Sequence, residues 1–168
     1  MELRIAGTVS DSIVDGPGLR FTIFTQGCSH HCKGCHNAHT WPYDGGTVAD
    51  LDMLYESVAE NPMLSGVTLS GGEPFDQAQA LLPLVKRYKD ARIEVAAYSG
   101  YTFEEILADP DKKELLSYCD VLIDGEFHEN EKSLELKYRG SANQRILDVP
   151  ASLASGQAIW STAKRWVG

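Results

Sequence analysis

The stretch "LRFTIFTQGCSHHCKGC" (residues 19–35) changes character at its middle. Its first half, "LRFTIFTQ" (19–26), is rich in β-branched and aromatic residues and predicts a buried strand. Its second half packs three of the chain's four cysteines, Cys28, Cys32 and Cys35, into a loop. His30, His31, His36 and His39 lie in or beside that loop. A strand that delivers a cysteine cluster from its carboxyl end is the pattern from which the rest can be read.

The same alternation repeats downstream. "SGVTLSGGEP" is a short strand running into a Gly-Gly turn, and "FDQAQALLPLVKRYKD" is a helix disturbed at Pro83. "RIEVAAYSG" is the next strand, "TFEEILADP" and "DKKELLSY" are short helices, and "DVLIDG" is another apolar strand ending in an acid. Between the cysteines and the first of these, "TVADLDMLYESVAEN" predicts a helix with Thr47 as N-cap and Val48, Leu51, Leu54, Tyr55 and Val58 on one face. "QRILDV" reads as a last strand that Pro150 ends. Strands alternating with helices predict an α/β fold with a mainly parallel sheet. The chain is short of a complete eightfold barrel. The expected architecture is therefore an open partial (β/α) barrel of four to six strands, one domain over residues 1–168. The notable loops all follow strands, so one mouth collects the cysteines, the glycine pair and Asp124.

Composition sets the compartment and removes whole classes of partner. With 168 residues, 43% hydrophobic and 23% charged, the chain suits a globular domain with a true core. No apolar run approaches the ~20 residues of a membrane helix, and the first residues show no signal or transit peptide. The expected location is the cytoplasm, where four cysteines argue for metal or catalysis rather than disulfides. Cys119, before an apolar run, reads as a buried small hydrophobe. The net charge of -9 disfavours nucleic acid. Residues 44–135 carry 20 acids and 7 bases, against 4 acids and 8 bases elsewhere, so the cysteine segment is relatively cationic.

Three thiolates are one short of a closed four-coordinate site. A Cys3His zinc module would take His36, His30 or His31 as the fourth ligand, although zinc modules usually draw ligands from two separated pairs. A [4Fe–4S] cluster normally takes four thiolates and would here keep one iron open. "SGGEP" (70–74) weighs on this choice. Its glycines permit close backbone approach to a ligand, and Glu73 suits an ammonium or hydroxyl group.

"CSHHCKGC" followed by "SGGEP" resembles the radical S-adenosylmethionine superfamily. "DGPGLRFTIFTQGC" (15–28), with Cys35, His36 and Asn37 closing the loop, is similar to the activases of glycyl radical enzymes. "YRGSANQR" (138–145), "YSGYT" (98–102) and the short chain look most like the branch whose partner is the anaerobic ribonucleotide reductase. Activation of another glycyl radical enzyme, such as formate C-acetyltransferase, is the alternative.

The resemblance implies that Cys28, Cys32 and Cys35 bind three irons and that S-adenosylmethionine chelates the fourth. It implies that Gly71, Gly72 and Glu73 hold the amino group, that backbone at Gly34 and His36 lines the adenine, and that Ser99 reaches the ribose. The cofactor radical would abstract hydrogen from a backbone glycine of the large reductase subunit. Asp15, Gly16, Pro17, Gly18 and Arg20 would form the edge over which that glycine enters, Asp15 orienting the peptide and Arg20 anchoring it by charge. A flavodoxin- or ferredoxin-type donor would supply the electron. Gly34 stands where many superfamily members carry an aromatic residue, and "AYSG" stands where formate-lyase activases have an acidic turn. His30, His31 and His39 are expected to be packing residues of the loop, and Trp41, Trp160 and Trp166 core or interface anchors.

Overall fold

The computed structural model describes residues 2–168. Seven strands form one sheet: β1 (Arg4–Ser12), β2 (Arg20–Thr25), β3 (Thr47–Val48), β4 (Gly66–Gly71), β5 (Val95–Tyr98), β6 (Val121–Asp124) and β7 (Arg145–Asp148). Their spatial order is β3-β1-β2-β4-β5-β6-β7. The central four, β2, β4, β5 and β6, are mutually parallel. Antiparallel strands flank them, with β1 and β3 on one side and β7 on the other. The expected mainly parallel sheet describes the centre, but the sheet has seven strands rather than four to six, the antiparallel edges making the difference. β1 escapes a hydrophobic reading because most of its residues are exposed. β7 returns antiparallel because the irregular 125–144 segment, rather than a covering helix, precedes it.

The parallel strands are connected through helices. α1 (Leu51–Ala59) precedes β4, α2 (Ala78–Asp90) links β4 to β5, and α3 (Phe103–Leu107) with α4 (Pro110–Leu116) links β5 to β6. Side chains alternate across each strand. Ile23, Val67, Leu69, Val95, Ala97 and Leu122 face the helices, meeting Leu54, Leu81, Leu84, Val85, Tyr88, Ile106 and Leu116 in one buried cluster. Ala96, Val121, Ile123 and Ile146 face the other way and are covered by Trp166 of the C-terminal segment.

Local chemistry explains the boundaries. α1 begins later than Thr47, which instead pairs with Ile5 in β3. Its cap is Asp50, whose carboxylate accepts from Met53 N at 3.2 Å. Pro83 lies on the exposed side of α2 and does not end it. Pro150 starts a helix as it ends β7: α5 (Val149–Ser155) is capped by Asp148. A short α6 (Lys164–Val167) carries Trp166. Among the described residues no helix is long and apolar enough to cross a membrane.

Candidate functional site

Four loops meet at the carboxyl ends of the parallel strands. The cysteine loop leaves β2, and two backbone bonds close it into a lasso: Gly27 N donates to Thr40 O at 2.6 Å and Cys28 N to Trp41 O at 3.1 Å. The Gly-Gly-Glu segment leaves β4 directly beside it, since Thr25 pairs with Gly71. Gly72 N donates to Thr25 O and Glu73 N to Gly27 O. The glycines are demanded by this contact. A Cβ on Gly72 would lie 2.3 Å from Gly27 O, and one on Gly71, at φ +93°, 2.6 Å from Thr25 N. What they approach closely is the cysteine loop's own backbone.

Glu73 is fully buried and ties these loops together. Its Oε1 accepts from His30 Nε2 at 2.7 Å, Gly100 N at 2.7 Å and Ser99 Oγ at 3.0 Å. Its Oε2 accepts from Phe75 N at 3.0 Å and Ser99 Oγ at 2.9 Å. One carboxylate therefore joins the loops after β2, β4 and β5, and its acceptor capacity is filled from within. Glu73, expected to meet an ammonium group, is met here by protein donors, and the Ser99 hydroxyl, expected at a ribose, turns to Glu73.

His30, which the sequence left without a task, is the residue that completes this hub. Its Nδ1 lies 2.9 Å from Glu126 Oε2, in the loop after β6. Both ring nitrogens thus lie within hydrogen-bond distance of a carboxylate oxygen. Burial alone would lower its pKa, but Glu73 and Glu126 outweigh that and raise it. Tyr101 meets the ring edge-on at 4.5 Å. Gly100 leaves room for it, since a Cβ there would lie 2.5 Å from His30 Cδ2.

Between these loops lies a cavity of about 140 Å³, lined by Cys28, Cys32, Cys35, Gly71, Gly72 and Glu73 among others. The three cysteines are free thiols. Burial pushes the Cys28 thiol up to about 11 and raises that of Cys32, so both are protonated until a cation holds them. Among the described residues no three His, Cys, Asp or Glu side chains converge on a single ion position. Thiols spread around a cavity suit a polynuclear centre whose irons each take one thiolate. A second observation fits the same group. The indole N–H of Trp41, another wall residue, is sealed from solvent and has no acceptor among the described residues.

A wider cleft of about 590 Å³ adjoins this cavity. Cys35, Asn37, Ser70, Tyr98, Phe127 and Gln144 line both. Val14 and Asp15 form one rim of the cleft and the 132–140 segment the other. His36 lines it, its ring 5.5 Å from that of Phe127. Gly34 lines neither space. It is exposed, at φ +77°, and a Cβ there would meet the Glu129 side chain at 3.0 Å.

The "DGPGLR" residues divide in the same way. Asp15 borders the cleft, and its carboxylate accepts from Ser12 Oγ and Thr22 Oγ1. Gly16 and Pro17 are buried, and Gly18 is exposed beside Ser65. Arg20 is 0% exposed and cannot anchor a docked partner by charge. Its guanidinium donates to Thr68 Oγ1, Val67 O, Pro17 O and Glu94 Oε1. Asp124 is likewise internal: it accepts from Phe103 N at 2.7 Å and pairs with Arg145. Arg145 closes the "YRGSANQR" loop, within which Gln144 accepts from Gly140 N and donates to Gly125 O.

Residues 14–147 match the family model described as a 4Fe-4S single cluster domain. The anaerobic ribonucleoside-triphosphate reductase-activating protein of Pasteurella multocida is 39% identical over 142 residues, covering 80% of this chain and 90% of its own. Its namesake from Vibrio cholerae matches at the same identity and coverage. That of Escherichia coli K12 is 34% identical, covering 80% of this chain and 91% of its own. Among solved structures, QueE from Escherichia coli overlaps 61% of this chain and 54% of its own at a TM-score of 0.47 and 19% identity, too loosely to argue from. The chain belongs to the family of anaerobic ribonucleoside-triphosphate reductase-activating proteins, which is built on a 4Fe-4S single cluster domain.

Proposed function

We propose that this chain is a radical S-adenosylmethionine activase, one domain with an open partial (β/α) barrel, that installs the glycyl radical of an anaerobic ribonucleoside-triphosphate reductase. The observation that carries the reading is the continuity of two spaces: a cavity walled by three thiols opens into a cleft large enough for a peptide segment. In this reading Cys28, Cys32 and Cys35 hold three irons of one [4Fe–4S] cluster, leaving one iron for the methionine amine and carboxylate of S-adenosylmethionine. When bound at these cysteines, the cluster would supply one-electron reduction of S-adenosylmethionine, the chemistry from which hydrogen abstraction at a backbone glycine would follow.

The chain's own residues position and exclude. Glu73 and His30 act through their neighbours, fixing the cysteine loop against the loops after β4, β5 and β6. With the Glu73 carboxylate filled, the backbone of Ser70, Gly71 and Gly72 is left to receive the amino group. The backbone of His36 lines the adenine. The partner's glycine-bearing segment enters the wider cleft between Val14–Asp15 and residues 132–140. Its rim offers apolar contact through Val14, 71% exposed, and Leu134, 97% exposed. Such positioning is what keeps a reactive radical within reach of one target.

The donor in this reading is a flavodoxin- or ferredoxin-type protein, and the compartment is the cytoplasm. Glu126 and Glu129 pack against the cysteine loop and offset the cationic character of that segment alone. Anaerobic mixing of the reconstituted protein, dithionite and S-adenosylmethionine with the large reductase subunit tests the partner. A glycyl-radical EPR doublet on the reductase, and none on formate C-acetyltransferase, is expected. The reverse pattern would transfer the chain to the other partner.

A further inference from the structure

Trp41 ends the stretch that holds the cysteines, and its position is fixed twice. Its carbonyl accepts from Cys28 N at 3.1 Å. Its ring stacks on His31, between Cys28 and Cys32, with centroids 4.5 Å apart and planes 5° from parallel. An indole N–H can only donate, and this one is buried without an acceptor among the described residues. A sealed, unpaired donor in a native fold calls for a partner that protein atoms do not supply. Trp41 lines the same cavity as the three thiols. The one carboxylate in that wall, Glu73, is already filled by His30, Ser99, Gly100 and Phe75. Asn37, Ser70 and Gln144 also line this cavity, yet none of them accepts from the indole. The centre read into the cavity would bring sulfur acceptors: a cysteine thiolate once a metal has displaced its proton, or an inorganic sulfide.

We propose that the Trp41 indole N–H donates a hydrogen bond to a sulfur of the iron–sulfur cluster, and so sets how readily the cluster accepts its electron. This rests on the cluster reading above. Hydrogen bonds to the sulfurs of a cluster are among the factors that set its potential. A donor stabilises the more negative, reduced form, so Trp41 raises the potential. His31, stacked flat on the indole, holds it in place. Trp41 is thus a positioning and tuning residue, and it acts before S-adenosylmethionine or the partner enters.

The test uses the full chain, reconstituted anaerobically with iron and sulfide. Trp41→Phe keeps an aromatic ring and removes the N–H. Iron and sulfide are first counted in both proteins, and the reduced cluster is then followed by EPR at poised potentials. The variant is expected to keep its cluster with about a tenfold lower ratio of reduced to oxidised cluster at a fixed potential, which is about 59 mV for one electron. Pulsed EPR of wild-type protein carrying ¹⁵N-indole tryptophan gives a readout that packing alone does not move. A ¹⁵N coupling to the reduced cluster is expected, kept in Trp160→Phe and Trp166→Phe and lost in Trp41→Phe. If the variant fails to hold a cluster, the coupling in labelled wild type, absent or present, decides. A full cluster with no ¹⁵N coupling overturns the proposal and leaves the cluster reading standing. Wild-type protein that binds neither iron nor sulfide overturns both.

Discussion

Arg20 and Glu73 are both fully buried charges, placed at opposite ends of the parallel strands. Arg20 opens β2 and closes the end away from the cysteines. It pairs with Glu94 at 3.0 Å, is met by Thr68, Val67 and Pro17, and lies 5.2 Å from the Trp166 ring. Glu94 in turn pairs with Arg165 of α6, so the chain's last turn seals that end. Glu73 follows β4 at the cysteine end, and its donors come from three loops with a cavity between them. Equal burial therefore serves unlike purposes. One charge fills space as an ion pair, and the other holds loops apart around a space. What separates them is the origin of the partners, not the depth of burial.

Substitutions should expose this difference. Arg20→Ala leaves a largely buried Glu94 with Arg165 alone, takes the buried donor from Thr68, Val67 and Pro17, and should cost about 3–5 kcal/mol in denaturant unfolding. The molecules that stay folded should release 5'-deoxyadenosine at the wild-type rate per cluster. Glu73→Gln should do the opposite. It weakens charge-assisted hydrogen bonds worth about 1.5–3 kcal/mol, yet S-adenosylmethionine cleavage should fall at least about a hundredfold, on the order of the effect of a 1 Å misplacement. If Arg20→Ala lost cleavage while folded, or Glu73→Gln kept it, the division between the two ends would fail.

Gly100→Ala sharpens the same point at a smaller cost of about 1–3 kcal/mol, typical of overpacking. The added methyl would meet His30 Cδ2 at 2.5 Å and push the ring off Glu73. Cleavage should drop with iron content nearly unchanged, measured on one preparation.

The smallest effect concerns pH at the Arg20 end. Burial would raise the pKa of Glu94, but Arg165 and Arg20 outweigh it and hold it below its ordinary 4.5. A depressed carboxylate adds stability that is full above the ordinary value and is lost as pH falls through the folded value. The stability gap between wild type and Glu94→Gln should therefore be constant at neutral pH and shrink below about pH 4.5. Urea melts across that window check it, and a gap that widened toward acid would contradict the pairing.

Much of this was legible in the sequence because parallel strands buried on both faces read as short apolar runs. β2, β4, β5 and β6 announce themselves so, and with them the loops at their carboxyl ends. β1 does not, since its nine residues are mostly exposed and Gly7 interrupts the pattern. The cysteine spacing marks the metal loop, but the hub beside it is written in pairs far apart. His30 meets Glu73 from 43 residues away and Glu126 from 96. No local signal separates a histidine that packs from one that bridges two carboxylates. The anchoring role expected of Arg20 came with the "DGPGLR" resemblance, and the residue is buried. Its place at the head of an apolar strand was the available hint of burial.

The central claim is that three cysteines, and no histidine, carry the centre that cleaves S-adenosylmethionine. Reductive cleavage by protein reconstituted anaerobically, in wild type and in Cys32→Ala, tests it most directly. The account predicts that dithionite and S-adenosylmethionine yield 5'-deoxyadenosine with the wild type and none with the variant. Retained cleavage in Cys32→Ala, or wild-type protein that binds one zinc and no sulfide, would contradict it.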